Sequence, residues 1–138
     1  MLDLTQNKPK SHQFPVKFKK LDKFFTDLCT DYGKSDIFET LKITKALDVF
    51  IVCTSQEATR QGIGNLLLKE SLKVAKTNGF EAVQCMALSY YTQKICTKNH
   101  FEELNSIAYG NYMQNHQKLF DETQMAEHQK GIFFARKL

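Results

Sequence analysis

The apolar positions of the chain fall into segments with two different periods. From Val16 to Tyr32, the residues Leu21, Phe24, Phe25, Leu28 and Tyr32 recur at helical spacing with lysines on the opposite side, and Gly33 follows as a stop. This predicts an amphipathic helix packed on a flat surface. Residues 46–54, ALDVFIVCT, form a continuous apolar run rich in β-branched and aromatic residues, with Asp48 as its only charge. Such a run predicts a strand buried on both faces. After the polar turn 55–61, the segment 62–79 sets Ile63, Leu67, Leu68, Leu72 and Ala75 along one helical stripe ended by Asn78-Gly79. A strand at 80–86, a short helix at 89–99 and strands at about 103–109 and 131–136 complete the order β, α, β, α, β, β after the first helix. Residues 1–13 are expected to be a flexible basic arm without fixed structure, ahead of one domain over 14–138. The hydrophilic stretch 110–130 is expected to be a mobile loop.

Composition narrows the class. The 138 residues are 42% hydrophobic and 25% charged, as in one ordinary globular domain. No run approaches the roughly 20 apolar residues of a membrane span, and the first residues carry no apolar segment of signal-peptide type. No membrane partner and no secretion are expected. Cys29, Cys53, Cys85 and Cys96 form no CxxC pair and read as reduced thiols of a cytosolic protein. His12, His100, His116 and His128 share no ligand spacing with Cys, Asp or Glu, so no metal is expected. The formal charge of +4 is carried by Lys8, Lys10, Lys17, Lys19, Lys20 and Lys23 against Asp3 and Asp22, while the rest of the chain is balanced. A basic terminal segment without interleaved readers does not point to nucleic acid.

The passage TRQGIG, from a buried strand into a helix, carries the candidate chemistry. Two glycines at a helix start remove side chains where backbone N–H groups lack intrahelical partners, and the helix dipole favours an anion there. A phosphate or pyrophosphate site is therefore placed at residues 60–65, with a tight turn that binds nothing as the other reading. The dinucleotide fingerprint fails because Leu67 stands where its third glycine would fall, and no GK[ST] follows for a P-loop.

A wider resemblance joins these features. The residues LDVFIVCT, RQGIGNLLLKESLKVAKTNGF, YYTQKICTKNHFEEL and SIAYGNY, with His128 before the last strand, follow one another over some 120 residues. From about Phe14 onward the chain resembles the C-terminal two-thirds of a GCN5-related N-acetyltransferase domain, and most closely the insect-type arylalkylamine N-acetyltransferases. The resemblance implies an α/β (α+β) acyl-CoA N-acyltransferase fold, a mixed twisted sheet flanked by helices, with the first strands missing. It implies acetyl-CoA as cosubstrate. The pyrophosphate would lie on Arg60, Gln61, Gly62, Ile63, Gly64 and Asn65, the pantetheine arm and thioester along Val52, Cys53 and Thr54, and the segment Tyr91, Thr92, Gln93 would border the cofactor. The implied reaction is direct attack of a neutral small-molecule amine on the thioester, with a base for the ammonium and an acid for the leaving thiolate.

The chain departs from the family pattern at several positions. Thr59 stands where Arg or Gln is usual, and Cys53 and Glu57 stand where insect-type members carry hydroxyl residues. Cys53 and Glu57 are the candidate proton-handling groups, with inert packing as the other reading of Cys53. Cys96 takes the place of a Tyr acid, with Tyr90 and Tyr91 nearby, and His100 replaces a glycine. The segment that holds the family's acidic base is expected to be missing, with Glu39 and Glu57 as substitutes, and the strand edge so exposed is a site for self-association. The rival reading is an acetyltransferase-like module that binds CoA or a partner without turnover. Acetylation of a peptide amine would instead require an open groove.

Overall fold

Side chains that alternate along the strands build two separate cores, one on each face of a sheet. The computed structural model describes residues 2–3, 16–30, 37–49 and 61–138. In chain order the elements are β1 (Leu2–Asp3), α1 (Val16–Thr30), α2 (Ile37–Leu41), β2 (Ala46–Val49), α3 (Ile63–Thr77), β3 (Ala82–Ala87), α4 (Tyr90–Lys98), β4 (Glu102–Ala108), β5 (Met113–Gln114), β6 (Gln117–Lys118) and β7 (Lys130–Lys137). Five strands form one mixed sheet in the order β1-β2-β3-β7-β4, in which β2 and β3 are parallel and every other neighbouring pair is antiparallel. The mixed sheet flanked by helices expected from the sequence is what forms.

On one face Leu47 and Val49 of β2, Val83, Cys85 and Ala87 of β3, and Ile132 and Phe134 of β7 pack with Leu68 and Ala75 of α3 and Cys96 of α4. On the other, Ala46, Ala82, Phe133 and Ala135 meet Phe24 and Leu28 of α1, Ile37 of α2, and Tyr109 and Tyr112. This two-sided burial is what the continuous apolar runs require. The end of α3 also follows from its sequence. Gly79 has φ 77, its N–H reaches Lys76 O and the Phe80 N–H reaches Ala75 O, which closes the last turn at the residue type that tolerates that φ.

Three expectations are corrected and one element is added. Leu2–Asp3 lie on the sheet as β1, paired with Leu47 and Asp48, where pairing supplies part of the edge hydrogen bonds of β2; residues 4–15 lie outside the described residues. The helix α2 was not foreseen. Leu67 is 42% exposed, so the buried stripe of α3 is narrower than its apolar content. The stretch 110–130 is built rather than loose: it contains the β5–β6 hairpin and short 3-10 turns at Tyr109–Asn111 and Glu122–Gln124. Its Tyr112, Leu119, Phe120 and Met125 join the core under α1. No helix among the described residues is long and apolar enough to cross a membrane.

Candidate functional site

The start of α3 is opened by Gly62, which precedes the helix at φ 74 and ψ 11 with no side-chain cap. The first intrahelical bond runs from the Leu66 N–H to Gly62 O at 3.1 Å, so the N–H groups of Ile63, Gly64 and Asn65 lie in the turn ahead of it. A Cβ added at Gly62 would meet no described residue within 4 Å, which leaves open space beside this turn. Donors, dipole and open space together fit an anion. The Asn65 side chain is used otherwise. Its Oδ1 accepts from Asn99 Nδ2 at 2.7 Å, Asn99 Nδ2 also reaches Ile95 O, and Arg136 Nη1 donates to Asn99 O at 2.8 Å. This buried link ties α3 to the C-terminal end of α4, so Asn65 offers a ligand only its backbone. Gln61, Gly62, Ile63, Gly64 and Asn65 are thus brought together, whereas Val52, Cys53, Thr54, Glu57 and Arg60 lie outside the described residues.

The N-terminal turn of α4 leaves the carboxyl end of β3 and is capped twice. Ser89 Oγ accepts the Thr92 N–H at 3.1 Å and lies 3.0 Å from Thr92 Oγ1. His128 Nδ1 accepts the Tyr90 N–H at 3.0 Å. Gln93 Nε2 donates to Ala87 O at 3.1 Å and Lys130 O at 2.6 Å, bridging the end of β3 and the start of β7. The exposed Tyr91 donates its hydroxyl to Glu127, and that bond holds the Glu127 carboxyl below its ordinary range. Thr92 and Gln93 therefore hold the site together, and Tyr91 is the member of the sequence-chosen trio whose ring faces outward.

Two cavities that sequence reasoning missed flank this turn. One, of about 370 Å³, is walled by Leu21, Phe24 and Phe25 of α1 with Leu88, Phe120 and Met125. Ser89, Tyr109 and His128 add to its lining, and among the described residues none that lines it is an Asp, Glu, Lys or Arg. The Tyr109 hydroxyl donates to Leu88 O at 2.6 Å, and burial pushes it up to about 12. The second cavity, of about 350 Å³, shares Tyr109, Met125 and His128 with the first and adds Glu122, Asn111 and Gln129. There the Glu122 carboxylate lies over Gly110, where any Cβ would collide with it, and pairs with Lys118 at 3.1 Å. The available signal was the set Tyr112, Leu119 and Phe120 inside a stretch read only for its polarity, with Tyr109 just before it.

The thiols described are core groups. Cys85 and Cys96 are buried against each other, and hydrogen bonding with Cys96 together with burial pushes the Cys85 thiol far up. Burial, helped by the charge of Asp48, raises Cys29 to about 12. Thiols raised in this way, as Cys29 and Cys85 are, stay protonated and are poor nucleophiles. All three are free, and among the described residues no group of His, Cys, Asp and Glu could hold a metal ion.

No protein-family model matches the sequence, and no curated protein matches it. Solved structures do match the fold. The arylalkylamine N-acetyltransferase 2 of Aedes aegypti aligns with a TM-score of 0.77 at 19% identity, over 87% of this chain and 54% of that one. The mosquito arylalkylamine N-acetyltransferase like 5b aligns at 0.79 and 21% identity, over 93% and 59%. The Drosophila melanogaster polyamine N-acetyltransferase aligns at 0.68 and 13% identity, over 94% and 66%. The chain spans little more than half the length of the two mosquito proteins. Across its described residues the chain therefore has the fold of part of these enzymes, the GCN5-related N-acetyltransferase fold.

Proposed function

We propose that the chain carries the cofactor half of an N-acetyltransferase that moves an acetyl group from acetyl-CoA to a small primary amine of arylalkylamine type. The observation that carries the reading is the start of α3, where Gly62 sits in the left-handed region without a side-chain cap and the N–H groups of Ile63, Gly64 and Asn65 precede the first intrahelical bond. These residues would hold the pyrophosphate, with Gln61 and Arg60 at its border. When bound, acetyl-CoA supplies an activated acetyl thioester. The apolar cavity supports the acceptor side, since its volume and its Phe24, Phe25 and Phe120 walls suit an aromatic body. In the reaction the amine nitrogen forms a bond to the acetyl carbon as the carbon–sulfur bond breaks. One proton leaves the ammonium and one reaches the thiolate. We assign those transfers to Glu57 and Cys53. The cytoplasm, where acetyl-CoA and free thiols coexist, is the compartment that goes with this reading.

Calorimetric titration with acetyl-CoA, followed by thiol release against a panel of amines, tests the proposal. Micromolar binding is expected, and Gly62→Phe is expected to weaken it at least tenfold and to lower stability by about 1–2 kcal/mol, because a side chain at φ 74 is strained even with no described neighbour within 4 Å. Equal affinity in the variant would remove the cofactor assignment. Binding without turnover would instead favour a CoA-binding module.

A further inference from the structure

Among the described residues, Asn99 is the one with a buried amide or charged side chain, at 4% exposed, and it stands where three elements meet. It ends α4, where its own N–H reaches Ile95 O at 3.1 Å, and Arg136 of β7 donates from Nη1 to Asn99 O at 2.8 Å. Its Nδ2 donates twice, to Ile95 O at 2.8 Å and to Asn65 Oδ1, in the first turn of α3, at 2.7 Å. A backbone carbonyl can only accept, so the Ile95 bond fixes which end of the Asn99 amide is nitrogen. The Asn65 atom that faces this nitrogen must then be the oxygen, and hydrogen-bond logic alone orients both amides. The Ile95 bond is enough to cap α4. The second bond reaches across 34 positions to the residue whose backbone N–H is the third donor of the glycine turn. A buried N–H is costly to leave without a partner, so this bond holds the turn in one place. It also engages an oxygen that would otherwise stand as a free acceptor beside an anion.

We infer that Asn99 is a positioning residue for the anion site: acting through Asn65, it fixes the first turn of α3 so that the N–H groups of Ile63, Gly64 and Asn65 are set for a pyrophosphate before one arrives. Donors that are already ordered bind more tightly, because the ordering cost falls on folding and not on binding. Asn99 touches no ligand itself. Without the link the Asn65 amide is free to turn its oxygen toward the anion, and the turn keeps only its backbone connection to the rest of α3. The inference rests on the acetyltransferase reading only in that the turn binds a pyrophosphate.

The test is a double-mutant cycle on ligand affinity, read by titrating the nitrogen-15-labelled chain with inorganic pyrophosphate and with acetyl-CoA and following the N–H resonances of residues 63–65. Asn65→Ala is the cleaner variant, since it breaks the link yet leaves Asn99 its bond to Ile95 O and its contact with Arg136. Asn99→Ala removes the link from the other side. Each is expected to weaken both ligands about tenfold, and the double variant should lose no more than either single one, because both delete the same bond. Tyr112→Phe, which lowers stability from the opposite face of the sheet, should leave both affinities within twofold and so separates positioning from a general loss of stability. Unchanged affinity in Asn65→Ala, losses that add in the double variant, or an equal loss in Tyr112→Phe would overturn the inference. Pyrophosphate binding that depends on the link, without acetyl-CoA binding, would uphold Asn99 and remove the acetyltransferase reading. Acetyl-CoA binding indifferent to both substitutions would do the reverse, and a parent chain that binds neither ligand at millimolar concentration would remove both.

Discussion

His100 has φ 62, in the left-handed region where most side chains are strained. It follows α4, and its N–H reaches Thr97 O while the Phe101 N–H reaches Cys96 O, so the conformation is what turns the chain from α4 into β4. His100→Gly should be neutral or mildly stabilising, and His100→Ile should cost about 1–2 kcal/mol, since a β-branched residue suffers most at that φ. Urea denaturation of the two variants measures both. Asp48 is strained in another way. It is the only charge on a strand covered on both faces, and burial raises its carboxyl although Gln84 hydrogen-bonds to it. A carboxyl raised in the folded state contributes no penalty below its unfolded value near pH 4. As pH climbs through the folded value, stability is lost. Asp48→Asn should therefore raise the urea midpoint at pH 7, and the gain should shrink toward zero below about pH 4. A gain of equal size at low pH would mean that packing, not charge, is the cause.

At the scale of elements, the region 110–130 is attached to α1 by a small polar network. The Tyr112 hydroxyl donates to Asp27 Oδ2 at 2.6 Å and accepts from Gln114 Nε2 at 3.0 Å, while Gln114 Nε2 also reaches Lys20 O at 2.8 Å. Lys23 pairs with the same Asp27 oxygen at 2.8 Å, and the Lys23 and Tyr112 bonds outweigh burial to hold that carboxyl below its usual range. Tyr112→Phe removes the hydroxyl without changing the ring contacts with Phe24 and Phe120, and should cost about 1–2 kcal/mol. Hydrogen exchange should quicken in 112–125 and leave α3 unchanged; uniform quickening would show that the network serves the whole fold. This attachment also marks where legibility from sequence ends. Elements with a local apolar pattern, such as the helical repeat of α1 and α3 and the short continuous runs of β3 and β7, were readable because that pattern is contained within each segment. The stretch 110–130 was not, because its order comes from a few aromatic residues and side-chain bonds to a helix some ninety positions earlier. The same division holds at the site. The glycine turn is a local signal, whereas the cavity joins Leu21 and Phe25 to Leu88 and His128, which no spacing rule connects.

At the scale of the whole molecule, the sheet separates two tasks. The face under α3 and α4 carries the anion site, and the face under α1 carries the apolar cavity. Their cores meet only through the strands, because alternate residues of β2, β3 and β7 point to opposite sides. Damage to one face should then leave the other serviceable. Phe24 is the centre of the acceptor face: it is 1% exposed, and its ring lies 4.9 Å from Tyr112 and Phe120 and 5.8 Å from Tyr109. Phe24→Leu keeps an apolar group there but empties part of the cluster, at about 1–2 kcal/mol. It widens the cavity that Phe24 walls, so amine binding should weaken severalfold while acetyl-CoA affinity stays within twofold of the parent chain. Leu68→Ala, on the opposite face, should show the reverse order, because it loosens the helix whose first turn presents the anion donors. If both variants weakened both ligands equally, the two faces would be one cooperative unit, and a mutation anywhere in either core would act on the site only through global stability.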